Sequence, residues 1–161
     1  LFSDANMDKT GYTIPRYSDK NIAVGYTKGY KWGKPSDHVL GTTGPSWYAK
    51  GASGIMSNAT DLYKWYHAVH GEHIIGPDNV YRLFLPQVDM KDGKASVFCY
   101  GWVATHSEHG GAIIQTTGNN DVFYTRFNVY LESGYVIILL TNNYNDSIDE
   151  LFEKIEQHVF N

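Results

Sequence analysis

Cysteine is almost missing. Cys99 is the only one in 161 residues, so no disulfide closes within the chain and a disulfide-stapled fold is excluded. Cys99 lies in the β-prone run Val97-Phe98-Cys99-Tyr100, which points to a buried, inert thiol rather than a nucleophile. Long apolar runs are missing too. The longest falls far short of the ~18 residues a membrane helix needs, so no membrane insertion is expected. Positive charge is scarce: 13 Lys and Arg against 17 Asp and Glu leave a net charge of −4. With no basic cluster, nucleic acid is excluded as the main partner. Leu1-Phe-Ser-Asp-Ala-Asn6 has neither the charged start nor the apolar stretch of a signal peptide, and no initiator Met. It reads as a processed product or a piece cut from a longer protein.

Nucleotide and redox motifs are also lacking. There is no Gly-x-x-x-x-Gly-Lys, no Gly-x-Gly-x-x-Gly after a strand, no Cys-x-x-Cys and no Gly-x-Ser-x-Gly, so no cofactor is expected. His67, His70 and His73 recur every three residues, a spacing able to hold a metal. Gly71 breaks the helix between them and no nearby acid completes a ligand set, so no metal site is expected. His106 and His109 flank a turn and are expected to be solvated.

Aromatic residues are abundant, with 13 Tyr, 7 Phe and 4 Trp. Such rings can face sugars or peptides, but more often fill core and loop packing. Apolar content of 42% and charged content of 19% are globular values. The length suits one domain with a real core.

Two regions divide that domain. Residues 1–96 are loop-rich and helical. Turn signals at Lys9-Thr10-Gly11, Ile14-Pro15, Lys34-Pro35-Ser36 and Thr43-Gly44-Pro45 leave no three-turn helix before residue 50. Asn58 with Asp61 resembles a capping box, and Leu62, Trp65, Tyr66 and Val69 form one apolar face of a helix that Gly71 ends. Pro77 opens a second short helix that Pro86 closes. Residues 97–161 carry an antiparallel sheet and a C-terminal helix. Val97–Thr105 reads as a strand, Ile113–Gly118 as a second, and Phe123–Leu131 as a third by its alternation. Gly134 turns the chain into Tyr135–Leu140, an unbroken apolar run that suits a central strand covered on both faces. Ser147 with Glu150 forms a second capping box, before a helix with Ile148, Leu151, Phe152, Ile155 and Val159 inward. Asn58-Ala-Thr60 and Asn145-Asp-Ser147 match glycosylation acceptors, although Asn58 and Ser147 have capping roles. The fold class is therefore α+β, with an antiparallel sheet of three to four strands and the final helix packed on it. The residues alone mark one cleft-edge candidate, Thr116–Asn120, where a strand ends in a hydroxyl pair and a glycine.

The order of segments resembles the serine β-lactamase and penicillin-binding-protein-like family, on the side of the class C enzymes and their esterase and peptidase relatives. The resemblance is carried by Leu1–Tyr12, Asn21–Tyr26, Gly51–Leu62, Leu85-Pro86-Gln87, Tyr100-Gly101-Trp102, Thr116-Thr117-Gly118 with Phe123, and Tyr135–Asn143. It spans nearly the whole chain in the family's order. In that family a Ser-x-x-Lys serine forms an acyl-enzyme, a Tyr-x-Asn motif assists proton transfer, and a Lys/His-Thr/Ser-Gly strand lines the cleft. This chain has no Ser-x-x-Lys and no usable Tyr-x-Asn, so the resemblance implies a C-terminal portion, without the nucleophile, of a hydrolase of amides or esters. Thr116, Thr117 and Gly118 take the cleft-strand positions by resemblance. Thr116 stands where the family has a cation. Asn119 replaces a glycine and, with Asn120, is a candidate for substrate contact. Val122 replaces the glycine before Phe123. The resemblance further implies an incomplete sheet, its open edge covered by the missing N-terminal portion, a homodimer or a swapped partner. It implies a small-molecule or peptide substrate and a periplasmic or extracellular location. Two rival readings are a non-catalytic descendant that binds a peptidoglycan-like or peptide ligand, favoured by Thr116, and an aromatic-rich glycan-binding module, disfavoured by the two capped amphipathic helices.

Overall fold

A short hairpin forms in the region that reads as irregular. It comprises β1 (Gly25–Thr27) and β2 (Tyr30–Gly33). Lys28 and Gly29 link them with φ of 48° and 80°, the positive pair that a tight two-residue hairpin turn requires. The sequence hides this hairpin because its strands are three and four residues long and carry no clean alternation. The structure, a computed structural model, describes residues 1–12, 18–38, 51–71, 74–93 and 95–161. The turn signals at Ile14-Pro15 and Thr43-Gly44-Pro45, and His73, lie outside the described residues. Lys34-Pro35-Ser36 leads into a single turn of helix, α1 (Pro35–His38), where the Lys34 N–H donates to Asp37 Oδ2 at 2.8 Å.

Helix α2 (Ala59–His70) starts at Asn58 as expected. Asn58 Oδ1 accepts the Asp61 N–H at 2.9 Å, satisfying one of the helix's orphan donors. Asp61 does not reach back to complete a capping box. Its carboxylate is buried and accepts the Lys9 N–H and the Thr10 hydroxyl, both at 2.8 Å. The N-terminal loop is thereby tied to α2. The helix's apolar side is shared between two neighbours. Trp65 and Ala68 pack on Phe2, Ala5 and Met7, while Leu62 and Tyr66 pack on the sheet. Helix α3 (Pro77–Leu83) has Pro77 in its first turn, where a missing N–H costs nothing.

The sheet is a six-stranded antiparallel meander of β3 (Val88–Asp89), β4 (Val97–Phe98), β5 (Val103–His106), β6 (Ala112–Asn119), β7 (Tyr124–Tyr130) and β8 (Val136–Thr141). Four strands, β5–β8, have four residues or more; the two-residue β3 and β4 extend the sheet. The run Val97–Thr105 is not one strand. It folds back at Cys99–Trp102, with the Cys99 N–H on Trp102 O at 2.7 Å and Gly101 at φ 78°. Because side chains alternate along each strand, the sheet has two faces. One carries Ile114, Phe127 and Val129 against α2, Phe84 and Trp102. The other carries Ile113, Tyr130 and Ile137 against helix α4 (Ile148–Phe160).

In α4, Ile148 and Phe152 are buried and Ile155 and Val159 pack beside them. Leu151 is 45% exposed, so it does not belong to the inner face that its spacing suggests. The expected capping box at Ser147 does not form: its side chain makes no capping bond. Instead the Ser147 N–H donates to Asn145 Oδ1, and Glu150 pairs with Lys154 one turn on. Under α4, the Tyr130 hydroxyl donates to Glu156 Oε1 and accepts from Asn128 Nδ2. Burial, reinforced by the Glu156 bond, pushes the Tyr130 phenol well above its ordinary value.

Candidate functional site

The two neighbours of β6 do not cover it equally. Strand β7 pairs along it from Ile113↔Tyr130 to Asn119↔Tyr124. Strand β5 pairs only from Ala112 to Gln115, ending at Val103↔Gln115. Among the described residues, Thr116–Asn119 therefore have no strand on their β5 side. Antiparallel residues alternate the side to which their N–H and C=O point. Leu131 N–H bonds Ala112 O at 3.0 Å, and Asn120 N–H bonds Phe123 O at 3.2 Å, so the even-numbered residues face β7. By that alternation the backbone groups of Thr117 and Asn119 face the uncovered side. This is the sheet edge singled out in the sequence.

Side chains follow the same parity. Thr116 is half-buried on the α2 face, cross-strand from Phe127. Around Phe127 stand Trp102 at 5.5 Å and Tyr66 at 6.4 Å between ring centroids, and Trp102 in turn meets Phe84 at 5.9 Å. Thr117 is exposed on the α4 face, opposite Arg126. The Arg126 guanidinium is turned toward α4, 3.9 Å from the Phe152 ring centroid and 3.5 Å from Asp149 Oδ1. Gly118, Asn119 and Asn120 are exposed. The five residues offer hydroxyls, amides and backbone groups but no ionisable side chain. Such an edge can hold an extended chain by hydrogen bonds and donate an N–H to a carbonyl oxygen; it cannot supply a proton or a nucleophile of adequate strength.

Asn119 and Asn120 shape the turn as well. Asn119 Oδ1 accepts the Asp121 N–H at 2.6 Å, and Asn120 Oδ1 accepts the N–H groups of Val122 at 3.2 Å and Phe123 at 2.7 Å. Asp121 sits at φ 65° between them, a conformation that Asn and Asp tolerate. Val122, where a glycine would be more permissive, is buried instead. Asn119, Asn120 and Val122 thus give the loop its own hydrogen bonds and its own core contact.

His67 and His70 are packing residues. His67 meets Tyr63 edge-on at 4.4 Å, and His70 lies between Tyr66 at 4.3 Å and Phe84 at 5.2 Å. Burial, with the neighbouring His67, lowers the pKa of His70. Among the described residues no group of three His, Cys, Asp or Glu side chains is placed to hold a metal. His106 and His109 are exposed, as expected, and His109 stacks on Phe160 at 4.3 Å with the rings 4° from parallel. Cys99 is buried with Sγ 3.3 Å from Phe84 O, and burial raises its thiol pKa.

Two structural anchors escaped the sequence reading. Asp61 was visible only as a capping residue; its partners lie 51 and 52 positions away. Gly25 was part of a motif but had no role, because its contact is with a loop nearly a hundred residues on.

Comparison with known proteins agrees with this architecture. No curated protein matches the chain. Among solved structures it resembles a penicillin-binding protein from Bacillus halodurans, at 18% identity and a TM-score of 0.73 over 98% of this chain and 46% of that one. It also resembles an octameric penicillin-binding protein homologue from Pyrococcus abyssi, at 14% identity and a TM-score of 0.67 over 88% and 32%. A D-stereospecific amidohydrolase from Streptomyces sp. gives 12% identity and a TM-score of 0.68 over 89% and 42%. The chain thus spans less than half the length of each. At these identities the likeness is one of fold. The family model described as Beta-lactamase matches residues 1–158, and the chain therefore belongs to the beta-lactamase family.

Proposed function

We propose that this chain is the C-terminal portion of a serine hydrolase that cleaves amides or esters through an acyl-serine, with the nucleophile supplied by an upstream segment. The observation that carries this reading is the uncovered edge of β6 at Thr117–Asn119. A substrate laid along that edge would extend the sheet by backbone hydrogen bonds. The Asn119 N–H would then stand beside the scissile carbonyl. As the serine oxygen bonds to the carbonyl carbon, the carbonyl oxygen gains negative charge, and a preorganised N–H facing it stabilises that charge. Thr116 and Thr117 bring hydroxyls to the same edge. Thr116, being uncharged, offers a substrate carboxylate no cation and favours neutral acyl groups. A small-molecule or peptide substrate fits this edge, and a location in the periplasm or outside the cell is proposed from the family likeness alone. The outer edge of β8 would be covered by the upstream segment or by a second copy.

Thr116 also supports a second reading, a non-catalytic relative that holds a peptide or peptidoglycan-like ligand on the same edge. Active-site labelling separates the two. The full-length natural protein is treated with a fluorescent fluorophosphonate and a fluorescent β-lactam, and adducts are located by peptide mass. A single modified serine outside residues 1–161 is expected. A protein that takes up neither reagent, yet binds peptides, is a ligand-binding relative. A modified serine within these residues would refute the division of labour.

A further inference from the structure

We propose that Gly25 and Trp32, on the β1–β2 hairpin, are positioning residues that set the open edge of β6 through the turn at residues 120–123. The inference rests on the reading of that edge as the site. The hairpin is seated by two bonds beyond the end of β8: the Tyr26 N–H donates to Asn142 O at 2.8 Å, and Asn142 Nδ2 donates to Val24 O at 2.7 Å. From that seat it closes on the turn. A Cβ at Gly25 would lie 2.4 Å from Val122 Cγ1 and 3.0 Å from two Phe123 ring carbons, so only glycine lets the strand come this near. Trp32 meets the Phe123 ring edge-on, centroids 5.9 Å apart. Val122 is buried, and its carbonyl accepts the Tyr144 N–H at 3.0 Å.

The turn is in turn rigidly joined to the edge. Asn120 receives the Val122 and Phe123 N–H groups on its side chain and gives its own N–H to Phe123 O; Asn119 holds the Asp121 N–H. Val122 and Phe123 therefore cannot shift without carrying Asn119 and Asn120. Strand β5 stops short of this segment, so among the described residues no strand steadies it on that side. The hairpin supplies from the far end the restraint that β5 omits, which leaves the edge both uncovered and fixed.

The test is Gly25→Ala in the full-length protein, with Gly25→Ala/Val122→Ala as its rescue and Trp32→Leu as an independent loosening. Backbone amide resonances of Gly118 and Asn119 are followed with 15N-labelled glycine and asparagine. Ester hydrolysis is followed in parallel. The added methyl is expected to move both resonances, and deletion of Val122 Cγ1 to return them toward wild type. Trp32→Leu, which adds no atom, should move the same pair. Hydrolysis should fall about 100-fold in kcat with KM little changed, since an ångström of misplacement costs on that order, and recover in the double variant. Resonances of Gly118 and Asn119 that stay in place in both Gly25→Ala and Trp32→Leu overturn the inference, as does a double variant no closer to wild type than Gly25→Ala. The resonances report on the hairpin whether or not the protein turns over ester, so a wild type without hydrolysis would count against the proposed function alone.

Discussion

Replacing Asp61 should detach the N-terminal loop from α2. Asp61 and Thr10 are 2% and 3% exposed, and the carboxylate accepts two bonds of 2.8 Å from Lys9 N–H and Thr10 Oγ1. Lys64 adds a longer contact at 3.4 Å from a side chain 38% exposed, worth little on its own. A hydrogen bond to a charged group contributes about 1.5–3 kcal/mol, and buried donors left bare keep their desolvation cost. Because both bonds share one acceptor group they do not simply add, and Asp61→Ala is expected to cost about 3–4 kcal/mol. For a domain of this size that lowers Tm by roughly 6–15 °C. The pH dependence gives a second signature. Burial opposes the charged form, but the hydrogen bonds of Thr10, Lys9 and Lys64 together outweigh it and hold the Asp61 pKa below its ordinary value. A lowered folded-state pKa means that the stabilisation is complete above the unfolded value near ~4 and fades as pH falls through the folded one. Thermal melts of wild type and Asp61→Asn from pH 7 down to pH 2 should therefore converge in the acid range. A loss under about 1 kcal/mol for Asp61→Ala, or a gap that stays constant from neutral to acid pH, would refute the reasoning.

Phe152 is fully buried between Ile113, Tyr130 and Ile137, with Arg126 over its ring; denaturant unfolding of Phe152→Ala should show a loss of about 3–5 kcal/mol. Ser147→Ala should leave Tm unchanged, because Ser147 makes no capping bond, whereas Asn145→Ala, which removes the acceptor of the Ser147 N–H, should lower it. The reverse order would restore the capping box that the sequence suggests. Cys99, 1% exposed with a raised thiol pKa, should react with a thiol reagent at pH 8 only as fast as the protein opens. Labelling at the rate of a free thiol in native buffer would contradict its burial.

Local pattern was sufficient for some parts of the molecule. Alternation along Phe123–Leu131 and the Asn58 and Pro77 helix starts depend on neighbours within a turn or a hairpin, so they were legible residue by residue. The apolar run after Gly134 was legible as a strand, but it is the edge strand β8 rather than a central one, with Leu140 exposed. The α+β class followed from them, and the order of motifs carried the resemblance to the family. The Thr116–Asn120 edge was visible as a composition: hydroxyls, a glycine and amides at a strand's end. Legibility failed wherever another partner, near or far in the chain, competed with the expected one. Ser147 and Glu150 have capping-box spacing, but Asn145 and Lys154 took their places. Asp61 has a capping position, yet Thr10 and Lys9 claimed its carboxylate.

What the sequence by itself determined, then, is which segments pair and which faces are apolar, because periods of two and 3.6 residues arise from the backbone's own geometry. What only the tertiary structure decided is the reach of one element along another. That β5 ends opposite Gln115, that Thr117 and Asn119 point to the side it leaves bare, and that Gly25 lets a hairpin close on Val122 all depend on register and on contacts between distant residues. Such contacts form only when the packed core fixes every element at once, and no local pattern encodes them.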